Sequence, residues 1–305
     1  MRVILRRTLE DTLKIVSIIL TIAGGIAGGY ILAKAGHMNS VPLYNSYLNA
    51  CTIRQHLATF FLTNGAVLMS LVSSVSSGLI AGEVHEGTFR ILVSKPTSRM
   101  KILLAKLLGM WIGVVILMVL GLCSLFMAEM IFGNFDGNIY AGLISYFPNY
   151  FLYGMIVTFF FSSLATLLSC IMKKRIWALL PMLFIIIVVL ALPVIIRVVS
   201  SLAGSQFAGL PPYLDLNYHF GQLFRWCCEL KGPITVSSGQ LSSMTILMNL
   251  FTANPVDFDL TRGMEYGSRM VANNVIQPNL VLMIYLIISA LGYLASFLII
   301  RRKDV

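Results

Sequence analysis

The chain has 305 residues, of which 58% are hydrophobic and only 11% charged, and its mean hydropathy is +0.86. A soluble domain carries roughly one-quarter charged residues, so composition excludes an ordinary soluble protein and indicates one membrane domain over 1–305. The formal net charge of +10 argues for no nucleic-acid partner, because the basic residues sit between apolar runs, where membrane topology puts them, and not on one binding face.

A membrane span needs about 20 apolar residues at roughly 1.5 Å each. Six runs qualify: Leu13–Leu32, Leu57–Ala81, Ile102–Phe132, Tyr150–Met172, Ile176–Val199 and Leu280–Ile300. The expected fold is therefore an all-α integral membrane protein with six transmembrane helices. Most Lys and Arg residues fall at the two termini and in the short loops after the second and fourth runs, including Lys173, Lys174 and Arg175. Short loops are where the positive-inside bias is reliable, so both termini are expected to be cytoplasmic.

In chain order, residues 1–12 form an amphipathic pattern. Leu5, Leu9, Leu13 and Val16 line one face, and Arg7, Glu10, Asp11 and Lys14 the other, with Glu10–Lys14 as an i,i+4 pair. Two readings are open: a helix lying in the cytoplasmic interface, or a plain extension of the first span. Ala33-Lys34-Ala35 has the form of a signal-peptidase site, but the basic lead is long and the apolar stretch is span-length, which argues against cleavage. Gly24, Gly25, Gly28 and Gly29 set two overlapping GxxxG spacings in the first span. They predict close backbone packing on another helix, within the chain or across a dimer. Gly109–Gly113 repeats the spacing more weakly in the third run.

The segment from Gly82 to Lys106, GEVHEGTFRILVSKPTSRMKILLAK, is too polar to cross a bilayer. Phe89, Leu92 and Val93 share a face at helical spacing, so a short amphipathic helix is expected. Pro96 disfavours helix at Lys95, and Thr97 or Ser98 supplies a cap for the next helix. This segment resembles the cytoplasmic loop of the type-2 ABC exporter permeases. The matching positions are Glu83, Glu86, Gly87, Thr88, Ile91–Val93, Pro96, Arg99 and Lys106, and the ending Arg301-Arg302-Lys303-Asp304 is similar too.

The resemblance implies a transport subunit without its own ATPase site, working as a pair, most simply a homodimer. Two copies of a separate ABC ATPase would bind the ATP and Mg. It also implies that residues 83–101 are a coupling loop, with Phe89, Leu92 and Val93 buried in an ATPase groove, Glu83, Glu86, Arg90 and Arg99 setting orientation, and Gly87, Thr88, Lys95 and Pro96 as its other coupling positions. Membrane lipids are the remaining partner, and the implied cargo is a hydrophobic or amphipathic peptide antibiotic, drug or lipid leaving a bacterial cytoplasm or inner leaflet.

Residues 200–277 form a long extracytoplasmic segment with aromatic-rich and Ser-rich pieces. It is expected either to cover the outer mouth of a pathway with amphipathic or re-entrant helices or to be a stabilising cap. The Ser-rich piece, 233–256, is too polar and too broken for a seventh span. Glu129 lies in an apolar run near its outer end, where snorkelling to the headgroups is the simpler expectation over an intramembrane function. Cys123 and Cys170 fall in spans, while Cys51, Cys227 and Cys228 are external, an odd number that argues for free thiols over a disulfide framework.

Catalytic patterns are absent. There is no phosphate-binding loop, Phe89 stands where a zincin would place its second His, and the four histidines lack ligand spacing. A membrane-embedded enzyme would show paired acids or a nucleophile with a base. An ATP-independent channel or secondary carrier is the alternative of a different class, and it would be expected to show internal repeats.

Overall fold

Inside a bilayer a chain must bond its own backbone, and each apolar run does so as helix. The computed structural model describes residues 1–35, 44–89, 98–133, 135–202, 210–232, 234, 247–253, 270–272 and 274–302. Among these, six helical stretches are long and apolar enough to cross a membrane: Ile15–Lys34, Leu48–Gly78, Arg99–Gly133, Gly137–Ile171, Arg175–Val199 and Pro278–Arg302. The fold is all-α apart from one three-residue antiparallel pair, β1 (Phe251–Ala253) with β2 (Met270–Ala272), in which Phe251 faces Ala272.

Helix α1 (Arg2–Thr12) is separate from α2 (Ile15–Ala35), because the backbone bends at Leu13–Lys14. Thr8 and Thr12 are buried on α1, whereas Val16 belongs to α2 and is exposed, so it does not continue that face. The Glu10–Lys14 pair does not form. The bend takes Lys14 off the helix, and the pairs present are Arg6–Glu10 at 2.8 Å and Lys14–Asp11 at 3.1 Å.

The second span is α3 (Tyr44–Ala58), a π-helical stretch Thr59–Val67 and α4 (Leu68–Gly78); α5 (Ala81–His85) follows a two-residue turn. The third, α6 (Arg99–Gly133), has 35 residues. At 1.5 Å per residue that is about 52 Å, well beyond a hydrocarbon core of about 30 Å. Its N-terminus is capped by Ser98, whose Oγ accepts from the Lys101 amide at 3.4 Å. The fourth span begins earlier than the apolar run suggests, with α7 (Gly137–Ile144) leading into α8 (Phe147–Ile171) across a break at Ser145–Tyr146 ahead of Pro148.

The fifth is α9 (Arg175–Leu190) and α10 (Leu192–Leu202), broken at Ala191 because Pro193 has no amide to offer the Val189 carbonyl. Helix α11 (Leu216–Glu229) precedes the last span, α12 (Pro278–Arg302). One apolar core joins spans two, three and four with α11 and α12 through residues such as Phe60, Leu122, Tyr153, Phe161, Phe220 and Tyr285. Apolar side chains such as Trp177, Phe184, Ile187, Ile287 and Leu291 face outward, as lipid contact requires.

The glycines show why the first and third spans lie so close. A side chain on Gly25 would start 2.5 Å from the Gly121 carbonyl oxygen, and one on Gly29 2.5 Å from that of Leu125. Gly24 and Gly28 meet side chains instead of backbone: Val67 at Gly24, and Leu125 and Thr63 at Gly28. These contacts are made within one chain. Gly109 and Gly113 admit α1 just as closely, at 2.6 Å from Leu5 O and from Thr12 Cγ2.

Candidate functional site

The site is the corner where the second and third spans meet at the end of the bundle that also carries α1 and the last turn of α12. After Gly78 the backbone turns, which frees the amides of Ile80 and Ala81. Both donate to Ser169 Oγ at 3.0 Å, and that hydroxyl donates to the Ser77 carbonyl at 2.8 Å. The Leu79 carbonyl freed by the same turn accepts from Lys106 Nζ at 2.6 Å. Lys106 also lies 2.6 Å from Glu83 Oε1, with both side chains largely buried. A fourth tie comes from Arg175, which fills the space beside Gly78 and donates to the Ser74 carbonyl and hydroxyl at 3.0 and 2.8 Å. These bonds, buried at Lys106 and Ser169 and exposed at Arg175, hold spans two to five as one piece at this end, and those of Lys106 and Arg175 are charge-assisted.

Beyond Glu83 the chain reaches outward. His85 and Glu86 are exposed. Gly87 has φ +74°, a left-handed conformation that glycine adopts without strain, and Thr88 Oγ1 donates to the Glu83 carbonyl at 3.4 Å. Phe89 departs from expectation. It is 0% exposed and part of the main core, so it braces the loop from behind and has no surface left for a partner's groove. Arg99 is half-buried. Arg90, Leu92, Val93, Lys95 and Pro96 lie outside the described residues.

The opposite end is closed by α11. Asp215 caps it, accepting from the Tyr218 amide at 3.1 Å, and pairs with buried Arg197 of α10. Arg197 also donates to Asn217 Oδ1 at 3.1 Å and the Leu247 carbonyl at 3.0 Å. Phe224 enters the bundle, stacked on Tyr150 with centroids 5.9 Å apart and edge-on to Tyr153, Phe60 and His56 at 4.9, 5.5 and 5.7 Å. Asn149 ties the Cys227 carbonyl at 2.7 Å. Burial pushes the Cys227 thiol up to about 12 and Cys228 well above its ordinary value.

Beneath Phe224 lies a polar cluster that the sequence reading missed. Tyr150 joins His56 and Gln55, and Gln55 reaches Glu129. Glu129 does not snorkel. It is 1% exposed, because α3 lies over the end of α6 and covers the carboxyl with Gln55. No signal local to any of these four residues announces the others, which lie 74 to 95 positions apart across the pairs concerned.

A family model described as ABC-2 family transporter protein matches residues 55–304. The chain belongs to that family. No curated protein matches it. Membership makes the chain the membrane component, the permease, of an ABC transporter and implies an ATPase partner; the six apolar helices make it a multi-pass membrane protein.

Proposed function

We infer that this permease serves an ATP-driven exporter and pairs, as a homodimer, around a central pathway. Two ATPase subunits bind ATP and Mg and press on the 83–101 loop from the cytoplasm. The substrate is hydrophobic or amphipathic, a peptide antibiotic, drug or lipid, and leaves the cytoplasm or inner leaflet of a bacterial plasma membrane. Both termini face the cytoplasm, and residues 200–277 face outward.

The observation that carries the reading is the position of Lys106. Its ammonium group holds the Leu79 carbonyl and the Glu83 carboxylate together, at 2.6 Å each. A displacement of the loop at Glu83 therefore moves the second and third spans together, as a lever must. Glu86 and His85 are the exposed groups beside it. At the far end α11 covers the bundle, in the place where an exit would need a removable cap.

The test is purification with the native partners, followed by ATPase measurement with candidate substrates. Co-purification of a nucleotide-binding subunit and substrate-stimulated hydrolysis are expected. A preparation that transports without any such subunit would instead favour the ATP-independent carrier. Orientation is checked by single-cysteine labelling in intact cells: position 140 and exposed position 213 should react from outside, and positions 95 and 174 should not.

A further inference from the structure

The polar cluster under Phe224 has no role in the lever just described, and its hydrogen bonds run in one direction. Gln55 Nε2 donates to Glu129 Oε2 at 3.0 Å, and Gln55 Oε1 accepts from the Tyr150 hydroxyl at 3.1 Å. Tyr150 has spent its only proton, so at 2.7 Å His56 Nδ1 must be the donor to it. His56 is thereby fixed as the Nδ1–H tautomer. Every hydrogen on the chain points towards Glu129, whose other oxygen, Oε1, is buried and without a hydrogen-bond partner among the described residues, as is His56 Nε2.

Among the described residues no cation pairs with this carboxyl. Around it α2 presents the Gly29 backbone, α3 brings Gln55 and His56, α7 brings Tyr140, held on the Phe126 carbonyl, and α8 brings Tyr150. Of the basic residues on this side, Lys231 sits over the Tyr146 ring and Lys34 over Tyr30, and Arg54, beside Gln55 on α3, forms no ion pair with Glu129 among the described residues. An isolated carboxylate in an apolar span is far costlier than the neutral acid.

We propose that Glu129 is a proton-binding site: with α11 in place its carboxyl holds one proton, and lifting α11 releases that proton to the outer solution. The step is simple. The Glu129 O–H bond breaks, its electron pair stays on the carboxylate, and water entering past Phe224 takes the proton. The Gln55 amide, already donating to the carboxyl and backed by Tyr150 and His56, then stabilises the new charge. The seated cap thus binds one more proton than the lifted one, so rising external pH favours lifting. Below about pH 6.5 an uncovered His56 takes up a proton of its own and offsets the release, so the dependence is clean only above that value. The inference rests on the outward orientation of α11 in that reading and does not need ATP-driven export.

Infrared difference spectroscopy on the full chain in lipid nanodiscs is the direct test. At about pH 7.5, well above the ordinary carboxyl value, the wild type should show the carbonyl stretch of a protonated carboxylic acid, and Glu129→Gln should lack it. Absence of that band from the wild type overturns the proposal, and leaves the exporter reading untouched because no transport is measured. A second measurement retains Cys228 as the single thiol and follows its reaction with a membrane-impermeant maleimide from outside. Glu129→Gln keeps the acceptor for Gln55, and the thiol's own pH dependence cancels in the ratio of wild-type to variant rates. That ratio should rise up to about tenfold per pH unit between about pH 7 and 8, the value for one proton. A ratio that does not change with pH overturns the coupling to α11.

Discussion

The two ends of the bundle are held by different physics. At the Glu83 end the ties are few, short and directional: Lys106 between a carbonyl and a carboxylate, Ser169 beneath two amides, Arg175 on Ser74. Each is fixed by geometry, and a small displacement would break it, so that end moves as a unit or not at all. At the α11 end the contact is broad and aromatic, with Phe224 among four rings, and the polar atoms below it are incompletely paired. Ring packing is non-directional and can re-form after separation. A rigid end beside a covered, under-satisfied one is what a lever acting on a cap requires.

The largest test of that contrast strikes the buried ion pair at the α11 end. Asp215→Ala removes the partner of buried Arg197 and the cap of α11 together. Breaking a buried pair costs about 3–5 kcal/mol, so the variant should lose most of its folded yield in detergent or melt far below the wild type. The double change Arg197→Met with Asp215→Leu should recover much of that loss. If the single variant melts like the wild type, α11 is held by its rings alone and the cap is looser than described.

The next effect concerns the packing on which both ends depend. Gly25→Leu sets a side chain against the α6 backbone and should cost about 3 kcal/mol, the upper part of the usual overpacking range. Gly28→Ala should be close to neutral, since its added carbon would meet the flexible end of Leu125 at 3.2 Å. Detergent sizing should show loss of folded protein in Gly25→Leu and no selective loss of a dimer, because the contact lies within one chain. Equal behaviour of the two variants would remove the distinction between the backbone-facing and side-chain-facing glycines.

Those glycines also show what a sequence makes legible. Spacing alone indicates that the Gly24, Gly25, Gly28 and Gly29 stretch admits a backbone, because only a missing side chain permits the approach, but nothing in the spacing singles out Gly25 and Gly29 or names α6 as the neighbour. The spans are legible for a similar reason: length and hydropathy are local, and lipid imposes them one helix at a time. The breaks at Ser145–Tyr146 and Ala191 follow from Pro148 and Pro193 once helix is assumed. Glu129 misled because a lone acid near a span's end has an easy local fate, and its cover by Gln55 is tertiary. Phe89 misled likewise: its helical spacing with Leu92 and Val93 says that a face exists, not whether that face meets a partner or the protein's own core. Lys106 and Ser169 bind backbone groups exposed by a turn, and side chain-to-backbone contacts leave no pattern in the sequence.

Ser169→Ala sharpens the rigid end. It strips two buried amides, Ile80 and Ala81, of their acceptor, and an unsatisfied buried donor costs about 1–3 kcal/mol. Destabilisation of about 2 kcal/mol is expected, with the greater effect on coupling: ATP hydrolysis by the partner should become less responsive to substrate while partner binding persists. Ser169→Thr keeps the hydroxyl and should restore the response. If Ser169→Ala hydrolyses and transports as the wild type does, the turn at Leu79–Ile80 is not part of the lever.

The smallest effect on the fold should carry the sharpest meaning for function. Glu86 is exposed and forms no ion pair among the described residues, so Glu86→Lys should leave insertion, yield and melting temperature as they are. At a desolvated contact, however, a reversed charge faces its former partner's own charge and opposes docking. The variant is therefore expected to lose ATPase binding or substrate-stimulated hydrolysis while remaining fully folded. Arg99→Glu is the poorer probe, since half-buried Arg99 also bears on the start of α6 and would mix stability with docking. Unchanged ATPase binding and unchanged transport in Glu86→Lys would place the contact elsewhere on the loop and return Glu86 to an ordinary surface charge.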